Sequence, residues 1–203
     1  MKRWLVGSLL VVLAGVILAG VLIVINVINS NRDPIAVLEE FGAKIKRNEQ
    51  GEVVELSLHD TKITDAGLVH LKGLTDLQTL NLGFTGITGS GLVHLKGLTN
   101  LKGLNLGGTK ITDAGLVHLK GMTNLQKLVL WDTQITDAGL VHLKGMTNLQ
   151  TLRLFGTKIT DAGLVHLKGL TKLQALYLNG TKVTDAGVAD LQKSLPNCKI
   201  YKY

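Results

Sequence analysis

The amino-acid sequence predicts an α/β solenoid. Right-handed coils stack so that their strands form one parallel sheet on the concave side of a short arc. Short helices line the convex side, and one N-terminal transmembrane helix precedes the stack. Three observations carry this expectation. A block of 24 residues recurs along the chain: residues 101–124 read LKGLNLGGTKITDAGLVHLKGMTN, and residues 125–148 and 149–172 repeat it closely. The apolar spacing within each block switches from a strand period to a helical one. Finally, residues 4–28 contain no charge. A fixed period of this size means stacked units, none able to bury its apolar face alone.

The uncharged run WLVGSLLVVLAGVILAGVLIVINVI follows Met1-Lys2-Arg3 and precedes Asn29-Ser30-Asn31-Arg32-Asp33. It exceeds the roughly 7–15 residues of a cleavable signal core. It matches the roughly 20 needed to cross a bilayer. No good small-x-small cleavage site follows it, so an uncleaved anchor is expected over residues 1–30, rather than a removed signal peptide. Lys2 and Arg3 are expected on the cytoplasmic side, with the repeats extracytoplasmic, periplasmic or extracellular.

Residues 31–52 read as a cap for the open end of the stack. Asp33-Pro34 is a helix start, with Asp at the cap and Pro at the first helical position. Ile35, Leu38 and Phe41 then share one helical face, and Gly42 ends it. Segments 43–47 and 52–58 read as two strands around a turn at 48–51.

Six repeats follow over residues 53–197, the last with one extra residue. Positions 1, 4 and 6 of each are apolar, as in Leu125, Leu128 and Leu130, and the 4-to-6 alternation is that of a strand with one buried face. Position 9 is always Thr: Thr61, Thr85, Thr109, Thr133, Thr157 and Thr181. Its hydroxyl can satisfy backbone groups where each coil leaves its strand. Thr at position 12 followed by Asp at position 13 is a helix start, a cap oxygen and then a negative charge at the positive end of the dipole. The second repeat has Gly89 instead of that Asp. Positions 16 and 19 form the buried side of the helix, Gly at position 21 is expected to stop it, and Gly at position 15 to make room for the neighbouring unit. Residues 198–203 read as a closing strand. Six strands about 4.8 Å apart give an arc of about 25–30 Å.

The pattern LxxLxLxxTxITDxGLxxL resembles the leucine-rich repeat family. The likeness covers residues 53–197, about 70% of the chain. The LTNLQTL and QITD segments are similar to bacterial internalin repeats, which carry Asn where this chain has Thr at position 9. The ITDAGL segment also resembles the cysteine-containing repeats of F-box adaptors, which carry Cys there and an F-box in front. The resemblance implies a non-catalytic scaffold that binds a protein or peptide on its concave face. An adaptor for ubiquitin transfer and a purely structural envelope protein are the alternatives.

The repeats provide an internal comparison, because positions that build the fold stay constant while positions free to meet a ligand can vary. Positions 3, 5, 7 and 8 vary. They are mostly small or polar in the first three repeats, with Phe84 the exception, and then change to Lys127, Val129, Trp131, Asp132, Arg153, Phe155 and Tyr177. Exposed Trp, Tyr and Arg dominate binding energy at protein interfaces. Trp131, Arg153, Phe155 and Tyr177 are therefore expected to form a contiguous recognition patch, with Lys127, Asp132 and Phe84 beside it.

The remaining features point away from other chemistry. The formal charge is +7, and without Lys2 and Arg3 the balance is 20 basic against 15 acidic residues. No basic run has interleaved aromatics, so no nucleic-acid partner is expected. His70, His94, His118, His142 and His166 form one stripe at position 18, but each coil offers a single imidazole and the Lys at position 20 opposes a cation. Charging this row below about pH 6.5 points to loss of stability in acid. The position-13 aspartates are accounted for as helix starts rather than calcium ligands. There is no phosphate-binding glycine loop, metalloprotease helix or nucleophile elbow. No metal, cofactor, small-molecule substrate or catalytic residue is expected. Cys198, the single cysteine, reads as a small core residue.

Overall fold

The computed structural model describes residues 32–203. The predicted anchor at 4–28 lies outside them, and among the described residues no helix is long and apolar enough to cross a membrane. Residues 38–203 form one compact unit that contains the whole sheet.

Helix α1, Pro34–Glu40, starts where Asp33 Oδ1 accepts the Ile35 amide at 3.0 Å. Gly42 ends it in the left-handed region at φ 88°. Leu38 is buried as expected and Val37 joins it, whereas Ile35 and Phe41 are only half-buried. Strands β1 (Lys44–Arg47) and β2 (Val53–Ser57) pair antiparallel, with the side-chain oxygen of Asn48 gathering the amides of Gln50 and Glu52 in the connecting turn. The edge strand β1 reads Lys-Ile-Lys-Arg. Such charge discourages another chain from pairing there.

From β2 onward the sheet is parallel and in sequence order: β3 (Thr79–Asn81), β4 (Gly103–Asn105), β5 (Lys127–Val129), β6 (Thr151–Arg153), β7 (Ala175–Tyr177) and β8 (Lys199–Tyr201). The closing strand is thus 199–201, within the expected segment. Register follows the repeat without slippage: Leu56, Leu80, Leu104, Leu128, Leu152, Leu176 and Ile200 are successive partners. A slip by one residue would turn this leucine row into solvent. Leucine rows at positions 1, 4, 6, 16 and 19, with the position-11 Ile row, are nearly all inaccessible. Each such side chain contributes roughly 1.5–3 kcal/mol by leaving water.

The position-9 threonines act as expected. In all six repeats Thr Oγ1 donates to the carbonyl of the position-6 leucine three residues earlier, at 2.5–2.7 Å. The bond stays within one coil, so each coil closes its own turn. A different ladder runs between coils. Asn100, Asn124 and Asn148 each donate Nδ2 to the Thr carbonyl of the preceding coil at 2.9 Å.

The convex segments are mixed. Repeats one and two form 3-10 helices, Asp65–Leu71 and Gly89–Leu95. Repeats three to five open with one α turn, α2 (Asp113–Leu116), α3 (Asp137–Leu140) and α4 (Asp161–Leu164), and tighten to 3-10 over the next three residues. The last repeat carries a ten-residue helix, α5 (Asp185–Ser194). Glycine at position 21 is a left-handed stop only at Gly73 and Gly121, with φ 88° and 99°. Gly97, Gly145 and Gly169 lack that conformation, and the Lys before each keeps helical angles, so the stop is not general.

Position 13 departs from expectation more usefully. Asp65, Asp113, Asp137 and Asp161 reach the next coil. Each accepts the position-12 Thr amide at 2.7–2.8 Å and the same Thr hydroxyl at 2.5–2.6 Å. That hydroxyl in turn caps the helix start by accepting an amide at Thr88, Thr136, Thr160 and Thr184, but not at Thr64 or Thr112. Gly at position 15 provides the space: a Cβ at Gly91 would stand 2.6 Å from Asp65 Oδ1, and Oδ1 of Asp113, Asp137 and Asp161 blocks a Cβ at Gly139, Gly163 and Gly187 in turn. The joint after repeat two lacks the carboxylate because Gly89 occupies position 13, and there Gly89 packs directly on the Gly115 backbone.

Candidate binding face

The outward side of the sheet is set by strand geometry. With position 4 turned into the core, positions 3 and 5 face solvent. Positions 7 and 8 follow as the chain turns away.

Position 8 is not free to vary as the repeat comparison implied. All six residues there are left-handed: Asp60 (φ 55°), Phe84 (57°), Gly108 (68°), Asp132 (48°), Gly156 (70°) and Gly180 (67°). Gly and Asp accept this conformation; an aromatic residue rarely does. Phe84 is therefore held at a backbone cost of roughly 1–2 kcal/mol.

The expected patch separates into two strips. Along positions 7 and 8, His59, Phe84, Trp131 and Phe155 form a chain of ring contacts. Phe84 meets His59 edge-on at 5.3 Å and Trp131 at 4.9 Å; Trp131 and Phe155 stack at 5.3 Å with planes 3° apart. Phe84 and Trp131 belong to the second and fourth repeats. They meet because the third repeat has Gly107 and Gly108 between them: Trp131 lies over Gly107, and Phe84 Cδ1 stands 2.9 Å from where a Gly108 Cβ would be. Phe84 is half exposed, at 51%. Along position 5, the Arg153 guanidinium sits 5.0 Å from the centre of the Tyr177 ring, and Tyr177 stacks on Tyr201 at 4.6 Å.

Lys127 is exposed on β5, and Asp132 is exposed with its carboxylate over Gly156. Val129, at position 5, is buried and presents little surface. The polar residues of the earlier repeats are engaged with one another. Asn105 donates to Asn81 at 2.9 Å, and both amide oxygens accept a backbone N–H, from Gly107 and Gly83. His59 and Tyr201 were missed as site residues. The repeat period could have found both: His59 is position 7 of the first repeat, and Tyr201 stands 24 residues after Tyr177.

On the convex side the five position-18 histidines are half-buried. Burial, with the positive charge of Lys72 beside it, holds His94 below the ordinary imidazole value, against the pull of Asp65. Asp65 titrates below the ordinary carboxylate value: burial works against its ionisation, but donors from Ser90, Thr88 and Gly91 outweigh it. Burial pushes the Cys198 thiol up to about 11. Among the described residues no group of three or more His, Cys, Asp or Glu side chains is placed to hold a metal.

Two family models described as leucine rich repeat match residues 73–95, 97–119 and 123–183, together more than half of the chain. The chain is a leucine-rich repeat protein. It is similar to an internalin, InlF, from Listeria monocytogenes, with 26% identity and a TM-score of 0.59 over 70% of this chain. It spans 38% of that protein's length. A second internalin of the same organism, InlC2, matches over 83% of this chain and 92% of its own at 23% identity, with a TM-score of 0.46. No curated protein matches. The internalin likeness accords with the bacterial form of repeat read from the sequence.

Proposed function

We propose that this chain is a membrane-tethered, non-catalytic binding module whose repeats lie outside the cytoplasm and capture a protein or peptide on the concave face. The observation that carries the reading is the solvent-side ring series His59, Phe84, Trp131 and Phe155, in which Phe84 is retained in a strained backbone conformation. Rings that serve the fold can be buried without such a cost. Rings held at the surface at a cost to the backbone suit a partner that covers them. Arg153 on Tyr177 adds a cationic group of the kind common at the centre of interfaces. The tether reading stands on the uncharged run at 4–28. The adaptor and architectural alternatives gain nothing from this geometry.

The test is a photocrosslinker at position 131 in native membranes, paired with Trp131→Ala. The variant is expected to remain folded, with only a modest loss from its ring contacts to Phe84 and Phe155, because Trp131 covers a glycine and fills no core space, yet to weaken partner binding by roughly 2 kcal/mol or more. Unchanged capture by the Trp131→Ala chain would end the concave-face reading.

A further inference from the structure

The convex side carries a feature that the concave-face reading does not use. Val69, Val93, Val117, Val141 and Val165, all at position 17, are 39–51% exposed. They account for five of the eight large hydrophobic residues exposed among the described residues. Their alignment follows from the local geometry. On a helical turn, 3-10 or α, residues three apart lie on the same side. In all five coils positions 14, 17 and 20 are turned outward, and they carry Ala, Val and Lys in that order in repeats one, three, four and five. Stacking multiplies them into parallel columns: an apolar band of Val beside Ala, with a column of Lys along its border. Lys72, Lys96, Lys120 and Lys144 are exposed.

The helical turn itself does not call for valine here. A β-branched residue is a poor helix former, and an exposed position favours Ala, Lys or Glu. The acidic groups of the same turns are engaged along the stack. Asp65, Asp113, Asp137 and Asp161 give both carboxylate oxygens to the next coil. The band stops in the last repeat, where Ala189 and Asp190 replace Val and His, and Asp190 pairs with Lys168 at 2.8 Å.

We propose that this convex band is a docking surface for an anionic phospholipid bilayer, with the valines entering the interfacial layer and the lysine column meeting the lipid phosphates. The charge complementarity selects this occupant: an apolar ridge bordered by exposed lysines, with the neighbouring acids held in hydrogen bonds to the next coil, matches the shallow apolar boundary and negative headgroups of such a membrane. The proposal uses none of the concave-face residues. It rests on the membrane tether only for bringing the bilayer within reach, and it leaves the aromatic strip facing away from the lipid.

The full chain is mixed with vesicles of equal parts phosphatidylcholine and phosphatidylglycerol, or of phosphatidylcholine alone. An environment-sensitive dye is attached to Val117→Cys or Val141→Cys, with Thr79→Cys on the sheet face as reference. The native thiol interferes little, because Cys198 is buried and its thiol is pushed up to about 11. Lipid-borne nitroxide is expected to quench the dye at 117 and 141, but not at 79, and only with phosphatidylglycerol present. Replacing Lys96, Lys120 and Lys144 by Gln is expected to lower the docked-to-undocked ratio about fivefold per lysine. Those side chains are exposed, so the fold should persist, and a circular dichroism melt checks this. Absence of quenching at 117 and 141, quenching that is equal in neutral vesicles, or indifference to the lysine replacements would each overturn the proposal. Alkaline extraction reports the tether separately, since it strips surface-docked chains and leaves spanning ones.

Discussion

Replacing Asp137 with Ala interrupts the coil-to-coil ladder at one rung, and the structure sets the size of the effect. Asp137 Oδ1 accepts the Thr160 amide at 2.8 Å and Oδ2 accepts the Thr160 hydroxyl at 2.6 Å. The oriented hydroxyl then accepts the Ala162 amide at 3.2 Å at the start of α4. Hydrogen bonds to a charged acceptor are each worth roughly 1.5–3 kcal/mol net. Thr160 is half-buried, so water recovers part of that loss. A weakened cap adds a few tenths. The expected destabilisation is about 2–3 kcal/mol. Urea unfolding measures it, with the slope checked for constancy because stacked repeats can lose cooperativity. Pairing Asp137→Ala with Thr160→Val in a double-mutant cycle isolates the rung, and a coupling of at least about 1 kcal/mol is expected. Additive effects, or a loss below about 0.5 kcal/mol for Asp137→Ala, would refute the ladder argument. The joint after repeat two supplies a contrast. Gly89→Asp cannot restore the missing rung there, because a Cβ at position 89 would stand 2.6 Å from the Gly115 Cα.

Thr133→Val leaves the Leu130 carbonyl without the buried hydroxyl that donates to it at 2.6 Å; a loss of about 1–2 kcal/mol is expected in urea unfolding, recovered largely by Thr133→Ser. Phe84→Gly relieves the left-handed backbone but removes ring contacts with His59 and Trp131, terms of similar size and opposite sign. Stability is expected to change by less than about 1 kcal/mol while partner capture falls. Stability should also decline in acid in two stages. His94 is depressed in the folded state, so the unfolded chain takes its proton first, and stability begins to fall as pH drops below the usual imidazole value of 6.5. Asp65 is likewise depressed, so its contribution is present above the usual carboxylate value of 3.8 and disappears as pH falls through its lower folded value. Denaturation midpoints across this range check both, and His94→Gln should flatten the upper stage alone.

Much of the molecule was legible because its determinants are local and repeated. The Leu spacing placed the strands and the core row, and the position-9 hydroxyl closes a turn only three residues long. Asp33 and Gly42 bounded α1 by chain-local chemistry. The parts that were misread involve contacts between coils or backbone preferences that a variable column conceals. Position 8 looked permissive because Asp, Phe and Gly all occur there, yet all six copies share a positive φ. The position-13 Asp does stand in the first turn of its own helix, as its local sequence implies, but its oxygens also bind the Thr 23 residues onward, which no single repeat reveals. Position 17 is one more apolar letter in the repeat, and only the coil geometry turns its valines outward.

From the chain alone one could write down the period, the buried leucines, the parallel order and the concave location of Trp131, Arg153, Phe155 and Tyr177, because periodicity assigns each side chain to a face. Which neighbours touch was decided only by stacking. Phe84 reaches Trp131 across two coils because Gly107 and Gly108 leave the intervening surface bare. Asp137 meets Thr160 because Gly163 leaves room for it. Those meetings depend on the rise and rotation between one coil and the next, quantities that arise from close packing of the assembled core and are written in no single repeat.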